Sequence, residues 1–441
     1  MKLEEIEKKK KILILGFGKE GQDAFLFLKK KFPEKEIAIA DQNENLKIKK
    51  EWRGAKFFLG KDYLKCVNNF DLIIKSPGIS PKIPEIKELY QKNKITTPAK
   101  IFLENCKGKI IGITGSKGKG QTTLLIYKIL KSANLKARLI GNIGKPYLSY
   151  LNSKTEDKIF VFEMSSHQLF KIGVSPRIAV LTKISPAHLD FFESFEQYKE
   201  AKEEILKWQK KEDFLIYNAK DKIILEMVKK SKAKKIPVKD PQKEIEKYHF
   251  KKIPEILRFY SLNFALALKV AEIFHVEKKV IEKAIENFKG LPHRLEFVGK
   301  YKGIYFYDDS ASTLSSATEF AIENLKNKIS TLILGGSENF VDISSLVKKI
   351  LKEKIKNLIL FPDTGKRIYE EILKRKNKKA PNCFFAHSMQ EAVKMAFENT
   401  EKEKICLLSP AFPSFSLFSS YQERGNFFKK FVRKYGKRKR T

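Results

Sequence analysis

Short apolar runs, each ending in a glycine or polar turn and giving way to a helical stretch, recur from Lys11 almost to the end of the 441-residue chain. Neighbouring parallel strands need a crossover helix between them, so this alternation predicts α/β layers with mainly parallel sheets. A chain this long exceeds one ordinary core. The turns group it into three blocks, 1–98, 99–290 and 291–441. No apolar run nears the ~20 residues of a membrane span. Met1-Lys2-Leu3-Glu4-Glu5 has no apolar signal core, so a cytoplasmic protein without membrane insertion is expected.

Block one opens with a strand, Lys11–Leu15, then Gly16-Phe-Gly18-Lys-Glu-Gly21 and a helix to about Lys31. A second strand, Glu36–Ala40, ends in Asp41. Glycines at such a turn let backbone approach a phosphate at the helix N-terminus, and an acid at this distance suits a ribose hydroxyl. Taken alone the pattern suggests an NAD-dependent dehydrogenase, or only a tight strand-to-helix turn. A further strand, Asp71–Lys75, ends at Ser76-Pro77-Gly78-Ile79.

Block two repeats the device: a strand Lys109–Thr114, the loop Gly115-Ser116-Lys117-Gly118-Lys119-Gly120-Gln121, and a helix Thr122–Ser132. Strand, glycine-rich loop and helix are the setting of a P-loop. One alignment places Lys119 for the phosphates but puts Gly120 where a magnesium-binding hydroxyl belongs. The other, through Gly120 and Thr122, keeps the hydroxyl and loses the lysine. The first is preferred, because the lysine charge is harder to replace than one metal ligand. Ile159–Phe162 delivers Glu163 at a strand end, a position suited to magnesium. Beyond the strand Ile178–Thr182 come His188 and, on a predicted helix, Lys202, which by itself reads as a solvated lysine. Block three supplies strands ending at Asp308-Asp309-Ser310, Gly335-Gly336 and Ser409-Pro410-Ala411.

The 89 basic against 52 acidic residues give a formal charge of +37. Lysine, spread along the whole chain, outnumbers arginine, the usual base-reading residue, so solvated lysine faces are expected rather than nucleic-acid binding. The tail from Lys437 to Arg440 is expected to be a disordered cationic end. Cys66, Cys106, Cys383 and Cys406 lie too far apart for a zinc site or a disulfide framework and are expected to be reduced, mostly core thiols.

Thr114-Gly-Ser-Lys-Gly-Lys119, Glu163-Met-Ser-Ser-His-Gln168, Gly290-Leu-Pro-His-Arg294 and Ser409-Pro-Ala, in that order, resemble the Mur ligases of peptidoglycan synthesis. Glu-Met-Ser-Ser-x-Gln-Leu and Arg424-Gly425 point to the branch that adds D-glutamate. The resemblance covers Gly16 to about Gly425. It implies three α/β domains: a Rossmann-like N-terminal domain for a uridine nucleotide, a central P-loop ATPase and a Rossmann-like C-terminal domain. It implies ATP and Mg2+, with UDP-N-acetylmuramoyl-L-alanine and D-glutamate joined through an acyl phosphate by a monomer. In that reading Gly16, Gly18, Asp41, Gly78 and Asn142 hold the UDP-sugar. Residues Gly115 to Thr122, with Asn263, Arg294 and Asp309, hold ATP, and Lys119 reaches its phosphates. Glu163, His188 and a carbamylated Lys202 hold metal. Thr313, Ser414 and Tyr421 surround the amino acid.

Several positions depart from the family pattern. Gly120-Gln121 replaces two hydroxyl residues, which Thr122 or Thr123 is the candidate to make good. Pro186-Ala187 stands before His188 in place of an acid. Ala311 replaces a lysine, Asn339 stands where some members have another, and of an Asn pair near the adenine only Asn263 remains. Rival readings are another ligase of the superfamily, including one extending folate, and a non-catalytic nucleotide-binding member.

Overall fold

The computed structural model describes residues 1–338, 340, 342–375 and 380–437, so position 339 and the tail from 438 lie outside the described residues. Three sheets form in succession, the α/β architecture that the alternation predicts. The first holds β1 (Lys11–Leu15), β2 (Glu36–Asp41), β3 (Lys56–Leu59), β4 (Leu72–Lys75) and β5 (Ile95–Thr96), in the order β3-β2-β1-β4-β5, all parallel. The second holds β6 (Lys109–Thr114), β7 (Ala137–Gly141), β8 (Ile159–Glu163), β9 (Ile178–Leu181), β10 (Phe214–Asn218) and β11 (Lys234–Val238). Its order is β11-β10-β9-β6-β8-β7, again all parallel. The third holds β12 (Glu296–Tyr301), β13 (Ile304–Asp308), β14 (Ile329–Gly336), β15 (Asn357–Asp363), β16 (Asn382–Phe385) and β17 (Ile405–Leu408). Its order is β12-β13-β17-β14-β15-β16, with β12 antiparallel to β13 at one edge.

Parallel strands are covered on both faces and therefore read as continuous apolar runs. In β1, Ile12 and Ile14 enter one hydrophobic cluster while Leu13 and Leu15 enter another, as side-chain alternation requires. The first of those clusters runs on into the second sheet. Phe102 meets Phe160 edge-on with ring centroids 5.1 Å apart and Tyr147 at 5.3 Å. Met1–Asn287 accordingly forms one compact unit carrying two sheets, and the third sheet lies in a second unit from Phe288 onward.

Two local expectations change. The helix after the second glycine loop starts at Lys119, earlier than Thr122, because Gly118 (φ +86°) turns the chain at its N-cap and the helix begins at once. All four cysteines are free, but only Cys66 and Cys406 are buried, so half of them rather than most are core thiols. Among the described residues no helix is long and apolar enough to cross a membrane.

Candidate active site

Open α/β sheets bind ligands beyond the carboxyl ends of their strands, and most of the expected site residues stand there. Gly16, Gly18, Asp41, Gly78 and Asn142 all line one cleft of ≈ 660 Å³. Gly16 has φ +84°, and a Cβ on it would come within 2.9 Å of Ser76 Cβ. Ser76 Oγ closes this turn by donating to Gly16 O at 2.6 Å. The Asp41 carboxylate also works within the protein: it accepts from Phe17 N at 2.6 Å and from Asn43 N at 2.8 Å. Asn142 Nδ2 donates to Glu163 Oε1 at 3.1 Å, tying this cleft to the end of β8.

Beside the cleft stands a group of buried polar side chains to which the sequence reading gives no role. Lys75 is 1% exposed, and its Nζ donates to Ser76 O at 3.0 Å and Ile79 O at 2.9 Å. Burial lowers its pKa to about 8, and Glu20 opposes the shift. Glu20 accepts from Tyr147 Oη at 2.7 Å and Gln168 Nε2 at 2.6 Å, which joins the helix Lys19–Lys31 to the second sheet. The available signal was a lysine closing the otherwise apolar β4 just before Ser-Pro-Gly.

In the glycine-rich loop, Lys119 folds back and donates to Gly115 O at 2.8 Å and Ser116 O at 3.3 Å. The Ser116 hydroxyl is braced by Tyr198 Oη at 2.7 Å and Ser185 O at 2.8 Å. Thr182 Oγ1 fastens Lys117 O at 2.6 Å. Thr122 and Thr123 both bond back along their helix. Thr122 Oγ1 donates to Gly118 O at 3.2 Å, and Thr123 Oγ1 to Lys119 O at 2.8 Å. Helical hydroxyls commonly bond back one turn in this way, and a hydroxyl that donates keeps lone pairs with which to accept. Gln121 is itself buried. Asn263, expected beside the adenine, braces the loop, its Nδ2 reaching Gly118 O at 3.0 Å and Thr122 Oγ1 at 2.8 Å. A cleft of ≈ 670 Å³ opens next to it, lined among others by Lys183, Asn218, Asp240 and Ser261.

Lys202 is not the solvated lysine that its place on a helix suggests. It is 1% exposed, its Nζ donates to Thr114 Oγ1 at 3.2 Å, and it lies over the Tyr198 ring at 5.0 Å. Burial first, then the charge of Lys119, drives its pKa well below the usual lysine value, while Glu163 pulls the other way. Glu163 is buried at the end of β8, paired in register with Ile113 of β6. His188 is exposed at φ +55°, its ring 4.9 Å from that of His167. Partial burial and then Lys119 lower the His188 pKa. Lys119, Glu163, His188 and Lys202 thus converge although they are spread over two helices, a strand and a loop.

In the second unit, Tyr421 opens the helix Tyr421–Gly436 that carries Arg424, while Ser414 O accepts from Phe418 N at 2.9 Å and Thr313 N donates to Ala311 O at 3.2 Å. The Arg424 guanidinium is 0% exposed; it donates to Ser310 Oγ (3.0 Å), Ser310 O (2.9 Å), Phe412 O (3.1 Å) and Pro413 O (3.2 Å). Ser310 Oγ in turn donates to Tyr421 O at 2.8 Å. Asp309, expected to clasp ATP, is engaged internally: it is 2% exposed and accepts from Leu295 N at 3.1 Å and Ser409 Oγ at 2.7 Å. It thereby holds the loop carrying Arg294, whose charge partly offsets the burial that raises the Asp309 pKa to about 6. His293, Glu296 and Asp308 are spaced as metal ligands, but the Lys429 ammonium is already among them, 2.9 Å from Glu296 and 3.8 Å from Asp308.

Three family models match successive stretches of the chain: Mur ligase MurD-like, N-terminal domain over 10–96; Mur ligase middle domain over 113–288; and Mur ligase, glutamate ligase domain over 293–412. The UDP-N-acetylmuramoylalanine--D-glutamate ligase of Acetivibrio thermocellus is 32% identical, the alignment covering 98% of each chain. That of Clostridium tetani is 31% identical over 96% of each. Among solved structures, the UDP-N-acetylmuramate-alanine ligase MurC of Thermotoga maritima superposes with a TM-score of 0.57 at 16% identity, over 96% of this chain and 99% of that one. A pseudomurein peptide ligase type C from Methanothermus fervidus gives 0.55 at 18% identity, over 97% and 100%. These two are likenesses of fold.

Proposed function

Because the chain belongs to the Mur ligase family, we propose that it joins the carboxylate of UDP-N-acetylmuramoyl-L-alanine to the amine of D-glutamate, cleaving ATP, in the synthesis of peptidoglycan precursors. A carboxylate resists amine attack until an oxygen is made a leaving group. Transfer of the ATP γ-phosphoryl group to it gives an acyl phosphate, and the amine then displaces phosphate. The protein's part is positioning and neutralising charge. The observation that carries this reading is the convergence of Lys119, Glu163, His188 and the buried Lys202 on the glycine-rich loop, in a chain 32% identical to a D-glutamate ligase along nearly its whole length.

In this reading Lys119 leaves the loop carbonyls for the β- and γ-phosphates, and the nucleoside half of ATP lies in the cleft beside Asn263. The loop from Gly16 to Gly18 and the helix start behind it face the diphosphate of the uridine substrate, with Asp41, Gly78 and Asn142 around them. Glu163 would offer magnesium a hard carboxylate oxygen, while the His188 imidazole, which suits softer divalent ions, would be the weaker donor of the pair. Lys202 fits only after modification, since an ammonium repels a metal. Burial favours its neutral amine, which adds carbon dioxide and loses a proton to become a carbamate, an oxygen ligand. A magnesium ion held by these residues would supply charge neutralisation for the phosphate. Asp309 acts on ATP indirectly, by holding the Arg294 loop. Thr313, Ser414 and Tyr421 surround the amino acid. The need for ATP and a uridine nucleotide puts the reaction in the cytoplasm.

The test is phosphate release from ATP and magnesium with UDP-N-acetylmuramoyl-L-alanine, adding amino acids one at a time. Release dependent on both the nucleotide and D-glutamate is expected. Release with a different amino acid keeps the ligase and changes its substrate; none, from folded protein, means a non-catalytic member.

A further inference from the structure

D-Glutamate brings two carboxylates, and a crevice at strand ends must meet both charges. Position 311 is alanine and position 339 asparagine, so neither supplies a cation. Arg424 is spent on carbonyls and the Ser310 hydroxyl, and Lys429 on Glu296. Arg367 is differently placed. It lies in the first turn of the helix Thr364–Lys374, whose start is anchored to the end of β14 by Thr364 Oγ1, accepting from Gly336 N at 3.0 Å and donating to Gly336 O at 2.9 Å. The next residue, Ser337, donates its N–H to Pro413 O at 3.0 Å, so the ends of β14 and β17 meet here.

The Arg367 guanidinium lies over the Phe412 ring at 5.6 Å, two residues before Ser414. Its Nη2 is 3.0 Å from Glu338 Oε1, yet neither Nε nor Nη2 forms a hydrogen bond, although both atoms are shielded from solvent. Ser337 Oγ is likewise shielded and unbonded. Polar groups out of water normally find partners, and a guanidinium edge beside a hydroxyl suits a carboxylate, which accepts from both. Glu338 Oε1 belongs to its own turn, accepting from Phe340 N at 2.7 Å, and meets Arg367 only as an off-axis ion pair.

We propose that Arg367, with Ser337, binds the side-chain carboxylate of the incoming amino acid, and that Glu338 holds that place in its absence. The inference rests on the ligase reading above. It assigns the selection of an acidic amino acid to a residue outside the family's motifs.

The experiment is steady-state kinetics on the full-length enzyme, with thermal melts of each variant. R367Q raises KM for D-glutamate about 10- to 100-fold, as loss of a charge-assisted hydrogen bond does, while kcat and the KM values for ATP and the uridine substrate stay within about threefold. R367K, which keeps the charge without the fork, falls between and serves if R367Q melts early. E338Q leaves KM for D-glutamate unchanged or lowers it, because it removes a competitor. A purely structural ion pair predicts the opposite, that E338Q raises KM as R367Q does, and that result overturns the proposal. So does an unchanged KM in R367Q, or wild-type turnover of D-alanine equal to that of D-glutamate. A wild type that releases no phosphate with any amino acid overturns the ligase reading instead.

Discussion

The ammonium of Lys202 sits beside Lys119 and Thr114 with almost no solvent, and its pKa is pushed well below the ordinary range by burial. Such a lysine costs stability while it carries charge and gains reactivity as it loses it. Lys202→Met, apolar and of similar length, is expected to fold at least as stably as wild type and to lose phosphate release by more than about 100-fold. Removing bicarbonate from the wild-type assay should lower activity reversibly; indifference to it would count against carbamylation. Asp309 offers a pH test. Burial raises its folded pKa from 3.8 to about 6, so the folded state holds its proton more tightly than the unfolded chain. That contribution to stability is complete below pH ~4 and is lost as pH rises through ~6, up to about 3 kcal/mol. Asp309→Asn should therefore melt higher than wild type at pH 8, with the gap closing towards pH 4.

At the scale of elements, the helix Lys19–Lys31 both lines the cleft shared by Gly16, Asp41 and Asn142 and fastens the first sheet to the second. Its Glu20 takes hydrogen bonds from Tyr147 and Gln168, and its Asp23 accepts from Leu148 N at 2.7 Å. A buried carboxylate deprived of a donor costs about 1–3 kcal/mol. Tyr147→Phe should lower stability by that amount in urea titrations and raise KM for the uridine substrate more than KM for ATP. Equal effects on both would mean that the contact serves the whole unit rather than this cleft.

For the molecule as a whole, 89 basic side chains face 52 acidic ones. Many of the described ion pairs, such as Lys87 with Glu193 and Lys136 with Asp157, are exposed and contribute little individually. Self-repulsion is therefore the dominant long-range term. Raising salt from about 10 to about 100 mM shortens the screening length from ~30 to ~10 Å. The melting temperature should then rise by about 2–5 °C if the gain is 1–2 kcal/mol. A fall in calorimetry over the same range would mean that attractive pairs outweigh the excess charge.

Apolar strands ending in Gly16, Thr114-Gly115, Glu163 and Gly335 were legible from the chain alone, because strand burial on both faces and glycine turns leave local signatures. They determined the α/β layers, three sheets and the two glycine loops, and with the motif order they pointed to the family. What a side chain does at a strand end was not legible in the same way. Lys75, Lys202, Arg367 and Arg424 are alike in sequence, each a basic residue in an amphipathic context. Only the packing of distant strands makes one a buried amine, one a floor beside a cleft, one a carbonyl clamp and one a guanidinium edge without hydrogen bonds. The same holds for Asn263 and Asp309, whose hydrogen-bonding capacity is taken up by neighbours remote in sequence. Desolvation and hydrogen-bond satisfaction depend on every surrounding atom, so tertiary structure decided them, whereas periodicity and turn chemistry depend on a few consecutive residues and were written in the chain.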